Sequence, residues 1–120
     1  MTVLNITKQN LALLLAGSST TIPTYFMIGS GSGTTVATMS TLINPISRQA
    51  VTSTDPTSQY KVTWQGDWSS VQISGVSLTE FGITISGTGI TGSQWTRTGI
   101  PVQVFNGTQE LQIQETAQVF

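Results

Sequence analysis

Only nine of the 120 side chains are charged, four Lys/Arg and five Asp/Glu, and there is no histidine and no cysteine. That inventory removes disulfides, thiolate metal sites and histidine proton transfer. With a net charge of −1 and Lys8, Arg48, Lys61 and Arg97 scattered singly, the chain also lacks the basic patch that nucleic-acid binding needs.

The first predicted element is a short helix in which Thr7 caps the start, Gly17 closes the end in a left-handed turn, and Leu11, Leu14 and Leu15 share a face. A helix of this length is marginal alone, so its leucines are expected to dock on something. The apolar run Leu11–Ala16 is far shorter than a bilayer span, and no membrane contact is expected. Ile22–Ile28 has strand character, with Pro23 near its start. Gly29–Gly33 reads as a flexible loop. Its glycines follow neither the dinucleotide-binding frame nor the lysine-containing phosphate loop. A helical turn is expected at Ser40–Ile43, ended by Asn44-Pro45.

From Gln49 onward the pattern is strand after strand. A turn at Asp55-Pro56 joins Gln49–Ser53 to a strand in which Tyr60, Val62 and Trp64 alternate with Lys61, Thr63 and Gln65. Val71 and Ile73, Val76 and Leu78, then Phe81, Ile83 and Ile85 continue the alternation. A slip of phase between Leu78 and Phe81 predicts a bulge near Gly82. Gly87–Gly89 and Gly92-Ser93 mark a loop before Trp95. Asn106-Gly107 predicts a two-residue hairpin that sets Val102 against Leu111 and Ile100 against Ile113. With 38% hydrophobic residues to fill a core, the whole reads as one mainly β domain over residues 1–120. The expected architecture is an antiparallel β-sandwich or partly open barrel with one short N-terminal helix.

Carboxylates are the only general acid or base candidates. Glu80 and Glu115 fall in or near the apolar phase of their strands, and a carboxylate facing inward must be paired or hydrogen-bonded. Arg48 and Arg97 are the natural partners, in a structural pair rather than a catalytic one. Trp64 is in phase with the core, whereas Trp68 and Trp95 stand at strand edges or loops, where either could be exposed at an interface; for the three together core packing or subunit contact is favoured over stacking on a sugar. The segment Gln114–Phe120, ending in Val119 and Phe120, does not alternate cleanly and is the expected reach toward a partner. No cofactor, metal or catalytic residue is expected.

The order of features from Asn5 to Ile83 resembles the N-terminal module of tailed-bacteriophage tail-collar fibre proteins. The matching residues are Leu11–Gly17, Phe26-Met27-Ile28-Gly29-Ser30-Gly31, Thr41-Leu42 with Arg48, and Leu78-Thr79-Glu80-Phe81-Gly82-Ile83. Collar fibres continue into a long shaft, whereas this sequence stops at Phe120, and Ser30 stands where the family often has an acidic residue. The resemblance implies a compact, non-enzymatic virion protein, assembled in the host cytoplasm as a homo-oligomer with other virion proteins as partners. A trimer at the tail, collar or baseplate is the favoured form, with capsid decoration as the alternative. A carbohydrate-binding module using Trp68 and Trp95 is the second hypothesis, and a small carboxylate-dependent hydrolase the third.

Overall fold

The period-2 pattern does build strands. A computed structural model describes residues 2–18, 23–58, 61–85 and 94–118, so Tyr60, the glycine-rich loop before Trp95, Val119 and Phe120 lie outside the described residues. In chain order the elements are β1 (Thr2–Val3), α1 (Asn5–Leu15), β2 (Tyr25–Gly29), β3 (Pro45–Ala50) and β4 (Ser53–Ser58). They continue with β5 (Lys61–Trp68), α2 (Ser70–Ile73), β6 (Ser77–Thr84), β7 (Thr96–Val104) and β8 (Leu111–Gln118). Every pairing is antiparallel. One sheet runs β1-β7-β6-β2-β3 and the other β4-β5-β8, and neither closes into a barrel.

The core lies between the two sheets. Phe26 pairs with Ile83 and Ile28 with Phe81, which puts these four on one face of the larger sheet. Against them stands the inward face of the smaller sheet, where Trp64, Gly66 and Trp68 oppose Glu115, Ile113 and Leu111. Phe26 lies directly over Gly66: a Cβ there would fall 2.6 Å from Phe26 Cδ2. The outward face of the same strands is polar. Thr63 bonds Thr116 at 2.8 Å, and Gln114 donates to Gln65 at 3.0 Å. The other face of the larger sheet carries Met27, Glu80 and Gly82, cross-strand neighbours by register, and Glu80 there bonds the chain from Gly31 to Asn44.

The hairpin is the largest departure from the sequence-based expectation. β7 pairs with β1 and β6, β8 pairs with β5, and the Asn106-Gly107 segment carries the chain from one sheet to the other. Among the described residues no non-glycine residue has positive φ, whereas a type I′ turn needs it at both central positions. Gly107 alone is left-handed, at +95°. Asn106 Oδ1 instead accepts from the Thr108 amide at 3.1 Å and from its hydroxyl at 2.7 Å, a side-chain turn that leaves the flanking strands free to separate. The inward residues of β8 fit β5 in phase over eight consecutive pairs, and that long ladder outweighs a two-residue preference.

Smaller corrections follow the same logic. Val71 and Ile73 belong to α2, a single helical turn opened by a reciprocal capping box between Ser69 and Gln72. We expect Ser69→Ala to cost about 1 kcal/mol, read as a lower urea midpoint at unchanged slope. Asp55-Pro56 lies within β4, where its pairing with β5 shifts register; β4 is an edge strand, which tolerates proline at such a point. The phase slip in β6 falls between Leu78 and Glu80, and Gly82 pairs regularly with Met27. Residues 40–43 form no helical turn. Leu4, not Thr7, occupies the N-cap of α1, and no side chain caps it. Thr7 is buried and its hydroxyl donates to the Trp95 carbonyl at 2.7 Å. Gly17 ends the helix at φ +78° as expected, but Leu11, Leu14 and Leu15 do not dock: they are exposed.

Candidate functional site

Glu80 is the polar centre of the molecule. It is fully buried, and its two oxygens accept four hydrogen bonds. Oε1 takes the amides of Gly31 (3.2 Å) and Asn44 (2.7 Å). Oε2 takes the Ile43 amide (3.0 Å) and Arg97 Nε (2.8 Å). Two donors on each oxygen satisfy the carboxylate, so an ionised form is stable there despite its burial. Burial alone would raise the Glu80 carboxyl, but the Asn44 amide, Arg97 and the Ile43 amide outweigh it and hold it below its ordinary 4.5.

The glycine loop is therefore clamped, not loose. Thr79 adds a bond from its hydroxyl to the Gly31 carbonyl at 2.7 Å, and Asn44 Nδ2 donates to Ser30 Oγ at 2.7 Å. Gly31 owes its identity to this closeness, since a Cβ there would lie 2.7 Å from Glu80 Oε1. Arg97 extends the clamp, with Nη1 donating to the Gly33 carbonyl at 3.2 Å and to the Thr35 hydroxyl.

A second carboxylate, Glu115 of β8, lies against the opposite face of β7. Thr96 and Arg97 are consecutive on β7, so their side chains leave on opposite sides. Thr96 Oγ1 lies 3.0 and 2.8 Å from the two oxygens of buried Glu115 and accepts from the Ile83 amide at 3.2 Å. Glu115 has no ion-pair partner among the described residues, in contrast to the Arg97–Glu80 pair. Burial pushes its carboxyl up to about 7, against the opposing pull of the Thr96 hydroxyl and the charge of the chain's amino terminus.

The other candidates divide. Among the described residues Arg48 meets no carboxylate; it lies 4.3 Å from the centroid of the Tyr25 ring. Trp68 and Trp95 are 1% and 5% exposed, core residues with no face for a sugar. Of the favoured alternatives, core packing is the one they adopt, within the cluster of Phe26, Ile28, Ile73, Leu78, Ile83 and Ile113. Val119 and Phe120 lie outside the described residues. Asp67 faces outward on β5. Hydrogen bonds from Thr52, Gln112 and Gln65 hold its carboxyl below the ordinary 3.8. Among the described residues no group of three or more Asp or Glu side chains could hold a metal ion.

Sequence reasoning found Glu80 and Arg97 and missed what else they bind. The Leu-Thr-Glu-Phe-Gly-Ile segment indicates an inward carboxylate but not that it collects amides from residues 31, 43 and 44. No protein-family model matches the chain, and no curated protein or solved structure matches it.

Proposed function

We propose that the chain is a non-enzymatic structural protein of a tailed-phage virion, working as a homo-oligomeric component of the tail, collar or baseplate. The observation that carries the reading is the employment of Glu80 and Arg97. The most buried carboxylate and its guanidinium spend their hydrogen-bonding capacity on fixing a loop to a sheet. A catalytic acid or base would need a lone pair or proton free for a substrate. The strand segments among those that carry the resemblance to collar fibres also support it, because they are spatial neighbours, whereas Leu11–Gly17 is exposed and apart from them. β2, holding Phe26–Gly29, pairs with β3, holding Arg48, and with β6, holding Leu78–Ile83.

Sparse charge suits such a part, since uncharged faces associate without stripping water from ions. Size-exclusion chromatography with light scattering is the test. A stable species of three copies is expected, with no binding on a glycan array. A protein that stays single at high concentration while turning over a substrate would overturn the reading.

A further inference from the structure

Asn106-Gly107 is the one place in the chain where an asparagine precedes a glycine; Asn5, Asn10 and Asn44 precede Ile6, Leu11 and Pro45. The pair sits in the stretch that carries the chain from β7 to β8, and Asn106 is exposed. Its Oδ1 accepts from the Thr108 amide at 3.1 Å and from the Thr108 hydroxyl at 2.7 Å, so the side chain is folded over the peptide that follows it. Among the described residues the Gly107 amide, enclosed by that turn, has no hydrogen-bond acceptor. An acyl carbon and the uncommitted amide nitrogen of the next residue therefore share one turn.

We propose that Asn106 is a site of self-modification, at which the Gly107 amide converts the asparagine side chain to a carboxylate by way of a cyclic imide. A solvent base takes the proton from the Gly107 nitrogen, which attacks Asn106 Cγ. The new C–N bond forms as the carbonyl electrons move onto Oδ1, and the two Thr108 donors already on that oxygen face the charge as it develops. The carbonyl then reforms, the Cγ–Nδ2 bond breaks, and the side-chain nitrogen takes a proton from solvent and leaves as ammonia. Water opens the imide. Attack at Cγ gives aspartate, and attack at the main-chain carbonyl gives isoaspartate.

Sequence and fold supply the conditions together. Glycine has no side chain to shield its nitrogen, whereas Ile6 and Leu11 are branched and lie within α1, and Pro45 has no N–H to lose. The Asn44 amide is also held, by Ser30 Oγ. At 107 the turn itself requires glycine: φ is +95°, and a Cβ there would fall 3.0 Å from Ser74 Oγ. The residue that the fold selects is thus the one that leaves the nucleophile open. Phe105 is tied to Gly75 and Val76 on one side, and β8 is tied to β5 on the other. The extra main-chain atom of isoaspartate is taken up in the largely exposed stretch between them, and the sheets stay paired. Each event adds one negative charge to a chain whose net charge is −1.

Trypsin isolates the site, because cleavage after Arg97 leaves Asn106 as the single asparagine of the C-terminal peptide. Native protein held in warm, mildly alkaline buffer should yield that peptide with its mass raised by the difference between O and NH, resolved by chromatography into aspartate and isoaspartate forms. The peptides carrying Asn5, Asn10 and Asn44 should keep their masses. The reaction should run no slower in the folded protein than in the same protein unfolded in urea. Asn106→Gln, which would need a larger ring, should abolish it. Thr108→Val keeps Asn106-Gly107 and removes one donor to Oδ1, so it should slow the reaction severalfold in the folded protein and leave the rate in urea unchanged. An Asn106 that keeps its amide in the folded protein would overturn the proposal, as would equal rates for folded Thr108→Val and the folded native chain.

Discussion

Glu80→Ala is expected to lower the free energy of unfolding by about 3–5 kcal/mol, the range for removing one partner of a buried ion pair. The substitution strands the Arg97 guanidinium in the interior and leaves the amides of Gly31, Ile43 and Asn44 without their acceptor. Arg97→Met should cost less, because Glu80 keeps three backbone donors when the guanidinium is gone. Glu80→Gln should stay close to the alanine variant, since an amide NH₂ would face donors on that side. Urea unfolding of the three variants gives the order. A loss under about 1 kcal/mol for Glu80→Ala would mean that the clamp holds nothing.

Stability should also fall as pH rises from about 4.5 to about 7. The Glu115 carboxyl is raised from 4.5 to about 7, so the folded protein binds this proton more tightly than the unfolded chain does. The stabilisation is complete below the unfolded value and is lost as pH climbs through the folded one. At 1.36 kcal/mol per pH unit the loss is roughly 3 kcal/mol. Glu80 and Asp67 act in the opposite sense. Held below 4.5 and 3.8, they contribute above those values and lose their contribution in acid. The melting temperature should therefore peak near pH 4.5, where Glu80 and Asp67 have gained their contribution and Glu115 still holds its own, and decline on the alkaline side until about pH 7. Glu115→Gln, neutral at every pH, should flatten the alkaline limb and leave the acid limb in place. An alkaline limb unchanged in Glu115→Gln would assign the pH dependence to another group.

What was legible in the sequence was whatever a single strand decides by itself. The alternation around Val62 and Trp64 fixed which side of β5 is buried. The position of Glu80 in an apolar phase required a partner, and Arg97 was one of two available. What was not legible depends on which strands meet. Asn106-Gly107 carries a strong local preference, yet β8 fits β5 as well in phase as it fits β7, and phase does not choose between partners. Glu115 was recognisable as buried, but a hydroxyl partner leaves no charge pattern to find. The strand-like spacing of Val71 and Ile73 concealed α2, although the Ser-x-x-Gln signature of a capping box was there to be read.

Because Thr96 and Arg97 leave β7 on opposite sides, this one strand is fastened to both layers, by a hydroxyl to Glu115 and by a guanidinium to Glu80. A pull or push applied further along, at Gly99–Val102, therefore does not simply peel a margin. It is shared between the stacked sheets and the clamped loop, the way a through-bolt spreads load across the plates it joins.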